Sequence, residues 1–295
     1  MNQRDKEYEE YKKEQEKEPN DYLEANKKMW NSLTEAHRDS NFYNVAQFKK
    51  DRNSLNAIEI NEVGDVKGKS LLHLQCHFGM DTLSWANMGA KVTGMDMSDA
   101  SIELAGELSR EIETPANFVV SDVYSLRDNL QGEFDIVFTS YGAIGWLPDL
   151  NKWAEIVANY IKEGGFFYMV EFHPVIYMYE WGNNFALQYS YFNESSIVEE
   201  VEQSYTGDRH KQKQVSYSWN HSISEIINSL LSQGLQLEFF NEYEYSVYNC
   251  FPNLKEIEKG KFRFKPPYDK LPHTFSLKVR KPFSKKKISG RIDVD

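Results

Sequence analysis

The segment LLHLQCHFGMDTLSWANMGAKVTGMDMS, residues 71–98, decides the fold of this chain. It begins inside a short apolar run, Lys69–Gln75, and such a run is typical of a buried parallel strand. A helical pattern from Met80 to Met88 follows, and Gly89 ends it. Lys91–Met95 is a second apolar run. The segment therefore predicts a strand–helix–strand unit whose two strands are parallel.

The same alternation continues on the C-terminal side of this unit. Ser98 is a suitable N-cap for a helix that runs to Ile112. A later helix, with an apolar stripe from Trp153 to Ile161, is expected to end at Gly164-Gly165. The other predicted elements are strands Phe118–Ser121, Phe134–Thr139 and Phe166–Phe172, helix Ile223–Ser232, and strands Leu235–Tyr245 and Thr274–Arg280. This pattern predicts a doubly wound α/β sheet, in which ligands bind at the carboxyl ends of the strands.

One segment, Pro174–His221, breaks the rhythm. It shows no alternation of helix and strand, and it is crowded with aromatic side chains. It follows the fifth predicted strand, so it would attach at the ligand-binding end of the sheet. We expect an inserted cap at residues 175–221, whose aromatic residues serve either as packing or as a wall for a bound molecule.

Composition and charge narrow the class of protein. The chain has 295 residues, a net charge of −11, and no apolar stretch of the roughly 18 residues that a membrane helix needs. Two cysteines, Cys76 and Cys250, give no disulfide framework and no zinc motif, which fits a reducing, cytoplasmic compartment and predicts no bound metal. An acidic surface disfavours phosphate backbones. We therefore expect a small-molecule partner, with no nucleic acid and no membrane.

A ribose-binding pattern spans the first two predicted strands. Asp96 ends the second strand, 23 residues after His73, and a carboxylate at this distance can accept hydrogen bonds from both ribose hydroxyls. Gly79 lies in the first turn, where backbone must approach a ligand. The spacing alone also fits a dinucleotide oxidoreductase. However, the turn lacks GxGxxG and its pyrophosphate cradle, so a ligand with a ribose and no phosphate fits better.

The turn LLHLQCHFGMDT, residues 71–82, and the segment KVTGMDMS, residues 91–98, together resemble the first two motifs of class I S-adenosylmethionine-dependent methyltransferases. That family usually writes the turn as LDLGCGTG; here Leu72, Leu74, Cys76 and Gly79 match, His73 replaces the acid, and Gln75 and His77 replace glycines. The LHLQCHFG form is similar to a bacterial subgroup, and the resemblance covers about residues 22 to 281. It implies a Rossmann-like, seven-stranded methyltransferase sheet, mostly parallel with the last strand antiparallel, and S-adenosyl-L-methionine as cofactor.

The resemblance also implies roles for individual residues. Asp96 would hold the ribose hydroxyls, Met97 would lie against the adenine, and Asp122 would accept from the adenine amino group beside Val123. The loss of the acid at His73 leaves open how the cofactor's ammonium is held. The remaining residues expected around the cofactor are Gln75, Cys76, His77 and Gly79 at the methionine part, Ser140 and Tyr141 facing the methyl, and Trp30, His37 and Tyr43 from an N-terminal segment that covers the site.

The reaction would be an in-line displacement, in which alignment supplies most of the catalysis and a base assists a weak acceptor. The candidates for that base are Glu171 and His173 after the fifth strand, His221 before a later helix and His37 in the N-terminal segment, with Tyr141 at the methyl. No spacing in the sequence singles one of them out. The residues expected near the acceptor are Trp146, His173 and Tyr191.

The domain organisation follows from these assignments. We expect a charged arm at residues 1–20, an N-terminal helical segment at 21–64 that covers the cofactor, a methyltransferase domain at 65–281, and a basic tail at 282–295. The oligomeric state is expected to be monomer or homodimer. Three functions remain open: methyl transfer to an oxygen, nitrogen or sulfur of a small molecule, methyl transfer to RNA or protein, and binding of the cofactor without catalysis.

Overall fold

The structure, a computed structural model, describes residues 21–180, 185–204, 206–207 and 209–284. The predicted arm at 1–20 and most of the predicted tail lie outside these residues. Among the described residues, three helices precede the sheet: α1 (Asp21–Asp39), α2 (Val45–Asp51) and α3 (Ala57–Val63). Within the described ranges, no helix has the length and apolar character needed to cross a bilayer.

The centre of the molecule is a seven-stranded sheet, as predicted. Its strands lie in the order β3-β2-β1-β4-β5-β11-β8, and only β11 runs antiparallel to its neighbours. The predicted fold class, with its last strand antiparallel, is therefore confirmed. The strands are β1 (Ser70–Leu74), β2 (Lys91–Asp96), β3 (Asn117–Val120), β4 (Phe134–Thr139), β5 (Ile161–Phe172), β8 (Gln236–Tyr243) and β11 (Thr274–Arg280).

Helices cover both faces of the sheet. One face packs against α3, α4 (Met80–Asn87) and α5 (Asp99–Glu111), and the other against α6 (Leu126–Asn129), α7 (Leu150–Tyr160) and α8 (Ile223–Ser232). Trp85 and Trp153 are fully buried at the centres of the two faces. Ser98 caps α5 as predicted, since its hydroxyl accepts a hydrogen bond from the Ser101 amide at 3.1 Å.

Two hairpins were not predicted. The segment expected to lack strands contains β6 (Ile197–Gln203) paired antiparallel with β7 (Arg209–Ser218), and β9 (Leu254–Glu258) pairs with β10 (Lys261–Phe264) between β8 and β11. Both are two-stranded and outside the main sheet. Their sequences carry many charged side chains because a two-stranded sheet has little apolar face to bury. The apolar pattern that reveals a core strand is therefore weak in them.

The expectation that Gly164-Gly165 ends the preceding helix is wrong. Helix α7 ends at Tyr160, and β5 begins with the next residue. The two glycines lie inside β5, where its pairing with β4 shifts register. A Cβ atom at Gly165 would lie 2.8 Å from the Asp135 carbonyl oxygen, so the close approach of β4 requires glycine there.

Candidate functional site

Two adjoining cavities lie at the carboxyl ends of the parallel strands. The narrow cavity has a volume of about 110 Å³ and the larger one about 1200 Å³. Their shared wall consists of Trp30, Tyr43, Gln75, His77, Tyr141, Gly142 and Trp146. This is the place where ligands bind in open α/β sheets.

Asp96, the last residue of β2, lines the narrow cavity with Met97, Asp122 and Val123. Its two carboxylate oxygens accept hydrogen bonds from different amides, Oδ2 from His77 at 2.8 Å and Oδ1 from Ser98 at 2.9 Å. These bonds fix the carboxylate and leave lone pairs on both oxygens, because each carboxylate oxygen can accept more than one hydrogen bond. Burial raises the pKa of Asp96. The geometry suits a pair of vicinal hydroxyl donors.

Asp122 serves a turn as well as the cavity. Its Oδ1 accepts hydrogen bonds from the Tyr124 amide at 2.9 Å and from the Ser125 amide at 3.1 Å. These bonds hold the turn that leads into α6 and use only one of the two oxygens. The side chain therefore has a local structural role and still lines the narrow cavity.

The turn after β1 has the backbone of a glycine loop without its glycines. Gln75 and His77 both have positive φ, 55° and 50°, which side-chain-bearing residues rarely adopt. The Gln75 Nε2 donates to the Ala143 carbonyl at 2.8 Å, while its Oε1 is buried without a partner among the described residues. An acceptor atom without a partner in a cavity wall fits a ligand that brings an N–H or ammonium group.

Gly79 is required by packing against a neighbouring ring. Its φ is 79°, and a Cβ atom there would lie 2.8 Å from Cε1 of Phe118. The residue lines the larger cavity, as do Cys76 and Ser140. His73, in β1 before this turn, has partners at both ring nitrogens: Thr82 Oγ1 at 2.8 Å and Ser140 Oγ at 3.2 Å. Burial lowers the pKa of His73 to about 3, so the ring is neutral.

Helix α1 and the β6–β7 hairpin together form one wall of the site. Trp30 packs edge-on to His77, with ring centroids 5.4 Å apart. His37 lines neither cavity, but its Nδ1 lies 3.2 Å from His77 Nε2 and its Nε2 lies 2.7 Å from Ser204 Oγ. The buried Asn26 side chain donates to the Tyr217 carbonyl at 2.8 Å and accepts from the Tyr217 amide at 2.9 Å. The helix and the hairpin are thus bonded to each other over the site.

Glu171 is buried, and its carboxylate is bound by backbone amides. Its carboxylate accepts hydrogen bonds from four amides, those of Gly142, Ala143, Ile144 and Phe172, the Ala143 bond measuring 2.7 Å. Burial raises the pKa of Glu171 to about 7, and the amide hydrogen bonds oppose the rise. The side chain holds the loop after β4 in place, and those amides occupy the oxygens that a general base would use.

Tyr141 donates its hydroxyl to Glu59 Oε2 at 3.0 Å. Glu59 is fully buried in α3, and its Oε1 also accepts from the Asn56 amide at 2.6 Å in a capping box. Burial raises the pKa of Glu59 to about 7. Glu59 was not among the residues predicted for the site. The pattern that points to it is Asn56 followed three residues later by glutamate, which is the signature of a capping box.

Two predicted acceptor residues lie away from the cavity walls. His173 is buried, its Nε2 lies 2.9 Å from Glu242 Oε1, and its Nδ1 accepts from the Val175 amide at 3.2 Å. Tyr191 accepts from the Ile223 amide at 3.1 Å, which satisfies a free N–H at the start of α8. The structure therefore does not bring these two side chains into the lining of either cavity, and their placement near the acceptor stays a prediction. The position of His173 in the sequence predicts that it follows the fifth strand, but it does not predict the direction of the side chain.

His221 and Trp146 do line the larger cavity. His221 Nε2 donates to the Leu147 carbonyl at 2.8 Å, and its Nδ1 lies 3.2 Å from Glu225 Oε2, a contact that is an ion pair only when the ring is protonated. The rest of the wall is largely aromatic, and the described residues that line either cavity include no lysine and no arginine. The aromatic members of the larger wall include Phe42, Phe172, Tyr177, Tyr189, Trp219, Tyr248 and Phe251.

The strand order, its single antiparallel strand and the carboxylate at the end of β2 define a Rossmann-like methyltransferase fold. Residues 71–165 match the family model described as "Methyltransferase domain". Residues 71–165 therefore form a methyltransferase domain with the class I fold.

Known proteins resemble this chain over parts of its length. A ubiquinone biosynthesis O-methyltransferase of Shewanella halifaxensis is 30% identical over 121 residues, which cover 40% of this chain and 51% of the relative. The chain thus spans about half the length of the curated relatives it matches.

Solved structures extend the likeness of fold to most of the chain. An S-adenosylmethionine-dependent methyltransferase from Clostridium acetobutylicum has a TM-score of 0.54 and 15% identity, covering 86% of this chain and 100% of the other. DhpI in complex with SAH has a TM-score of 0.53 and 14% identity, covering 88% and 97%.

Proposed function

We propose that this chain binds S-adenosylmethionine with the adenosine in the narrow cavity and transfers the methyl group to a small acceptor in the larger one. The observation that carries the proposal is the ribose-type carboxylate of Asp96 in a narrow cavity that adjoins one of about 1200 Å³. The matched methyltransferase domain spans the same turn and strand. The orphaned Gln75 Oε1 in the shared wall fits a donor group of the methionine part.

When bound, S-adenosylmethionine supplies a methyl group that its sulfonium already activates. The chain has to align the reactants and exclude water, and alignment can contribute roughly 7–11 kcal/mol to lowering the barrier. In this proposal Asp96 accepts from the ribose hydroxyls, Met97 and Val123 pack on the adenine, and Asp122 accepts from its amino group. Trp30 and Tyr43 cover the site from the N-terminal segment. Glu171 acts through the loop after β4 as a positioning residue.

The base, where the acceptor needs one, is assigned to His221. Among the candidates, Glu171 is occupied by amides, Tyr141 donates to Glu59, and His173 and His37 lie outside the larger cavity. His221 lines that cavity. Because its Nε2 donates to the Leu147 carbonyl, Nδ1 is the atom that would take the proton, and Glu225 Oε2, 3.2 Å from Nδ1, would stabilise the protonated ring.

We further propose that the acceptor is a compact, largely apolar or aromatic molecule without phosphate or carboxylate. A buried anion would need a cationic partner, and the described lining offers none. Aromatic walls instead favour flat apolar rings. The name of the Shewanella relative makes a hydroxyl on an aromatic ring the first acceptor to test.

The test is a panel of matched acceptors incubated with S-adenosylmethionine, with S-adenosylhomocysteine and the methylated product measured by mass spectrometry. Each neutral phenol, amine or thiol is paired with a phosphorylated or carboxylated counterpart of similar size. We expect turnover on neutral members, with kcat/KM at least about tenfold above the anionic ones, since a tenfold ratio needs only about 1.4 kcal/mol. Turnover confined to anionic acceptors, or to RNA, would contradict the proposal.

A further inference from the structure

The cofactor of the proposed function carries an ammonium group, and β1 offers no acid for it, because the position is occupied by His73. That ring is neutral, and both of its nitrogens are occupied by Thr82 and Ser140. An ammonium group in a water-poor cavity needs acceptor atoms and gains most from a carboxylate. A different carboxylate in the same wall is therefore required.

Asp81 lies in that wall, in the first turn of α4, two residues after Gly79. Its Oδ1 accepts from the Ser54 hydroxyl at 2.6 Å, and the nearby Ser140 hydroxyl opposes the rise of its pKa. Ser54 is itself fixed, because its amide donates to Ser84 Oγ at 2.9 Å. The Ser54 hydroxyl orients the carboxylate and leaves it with capacity to accept further hydrogen bonds, since an ionised carboxylate has about four lone-pair sites.

The charge of Asp81 has no cationic counterpart within the described lining of the cavity, which lacks lysine and arginine. Burial raises the pKa of Asp81, so a cation arriving beside it would relieve a desolvated negative charge. The orphaned Gln75 Oε1 adds a second acceptor to the wall of the same cavity. The wall therefore offers two hydrogen-bond acceptors, one of them negatively charged, to a cationic group that donates hydrogen bonds.

The other carboxylates of the larger cavity are less suitable. Glu171 is occupied by four amides. Asp51 is exposed and accepts from Gln47 Nε2 at 2.9 Å, and Glu199 is exposed and accepts from the Tyr189 hydroxyl at 2.8 Å. Of these four carboxylates, only that of Asp81 is both enclosed by the protein and located on the helix that follows the turn at residues 75–79.

We infer that Asp81, oriented by Ser54, binds the ammonium group of the cofactor's amino-acid end. Asp81 lies eight residues after His73, the position where the resembling family carries its acid, and the inference rests on the proposed function. The negative charge is thus on the helix, and a neutral histidine occupies the position in the strand.

Two ligands separate this role from a general structural one. S-Adenosylhomocysteine carries the ammonium group, whereas 5′-methylthioadenosine shares the adenosine but lacks the whole amino-acid end. Calorimetric titration of both is made with the wild type, Asp81→Asn and Ser54→Ala, and with Asp96→Asn as the control for the ribose contact. We expect Asp81→Asn to weaken S-adenosylhomocysteine about 10- to 100-fold, as for loss of a charge-assisted hydrogen bond, and to leave methylthioadenosine within about twofold.

The control should weaken both ligands, and Ser54→Ala should follow Asp81→Asn with a smaller effect. Equal weakening of the two ligands by Asp81→Asn would overturn the inference, because it would mean that the turn itself has been disturbed. Unchanged affinity for both, or a raised KM for an amine acceptor alone, would also overturn it. A folded wild type that binds neither ligand would instead contradict the proposed function on which the inference rests.

Discussion

Gln75 and His77 hold a backbone conformation that glycine adopts more readily, at φ of 55° and 50°. Strain of this kind costs of order 1–3 kcal/mol per residue and persists where the surroundings enforce it. Here they do: Gln75 donates to the Ala143 carbonyl, and His77 bonds to His37 and packs on Trp30. The side chains that replace the glycines therefore connect the turn to β4 and to the N-terminal helix.

Glu59 makes the free energy of unfolding depend on pH, and the substitution Glu59→Gln tests this dependence. The raised pKa, about 7, lies above the usual value of 4.5, so the folded chain holds this proton more tightly than the unfolded chain. The associated stability is fully present below pH 4.5 and is lost as the pH rises through about 7.

Glu59→Gln is neutral at every pH and should lack this contribution to the pH dependence. Between pH 5 and 8, the wild type should lose about 2–3 kcal/mol of unfolding free energy relative to the variant. Urea denaturation at the two pH values measures the difference. The exposed Glu24→Gln is the matched control and should show no such relative change. A constant offset between wild type and Glu59→Gln across this range would disprove the assignment.

At the scale of elements, the apolar periodicity in the sequence located the strands and helices that form the core. Helix Ile223–Ser232 and strand Phe134–Thr139 have the predicted bounds, because burial on one or both faces dictates their side chains. The β6–β7 hairpin escaped prediction because contacts with α1, distant in sequence, hold it rather than an apolar face of its own. The directions of His173 and Tyr191 depend on such distant contacts too.

Asn26 tests the idea that α1 and the hairpin form one cover over the cofactor. Its amide satisfies both backbone groups of Tyr217, so Asn26→Ala leaves a donor and an acceptor unpaired, at about 1–3 kcal/mol each. We expect a lower unfolding free energy and faster dissociation of S-adenosylhomocysteine in stopped-flow experiments.

Asn159→Ala is the matched control, because its exposed side chain bonds only within its own helix, to the Glu155 carbonyl. Asn26→Asp can still accept from the Tyr217 amide but has lost the donor, so it should fall between the wild type and Asn26→Ala. A dissociation rate in Asn26→Ala equal to that of the wild type would mean that the helix and hairpin do not act as a cover.

At the scale of the whole molecule, the sheet topology and the carboxylate at the end of β2 followed from residues 71–98 and the alternation around them. The acceptor cavity did not, because its wall is drawn from α1, the β6–β7 hairpin, the loop after β4 and residues 248–252. Asp81 shows the same limit, because its surroundings in space identify it, and the capping-box pattern of Asn56 and Glu59 predicts the start of a helix but not the contact with Tyr141. A local pattern predicts the sheet and one ligand contact, and the tertiary contacts decide the rest.

The central claim is that the narrow cavity binds the adenosine of S-adenosylmethionine through Asp96. Titration calorimetry with S-adenosylhomocysteine on the wild type, Asp96→Ala and the exposed control Asp128→Ala tests it most directly. We expect one-site binding to the wild type and control, and a loss of about 100-fold or more in Asp96→Ala, because two hydrogen bonds to a charged carboxylate disappear. Circular dichroism confirms that each variant is folded. Equal affinity in folded Asp96→Ala, or no binding to the wild type, would show that Asp96 does not hold the adenosine in this cavity.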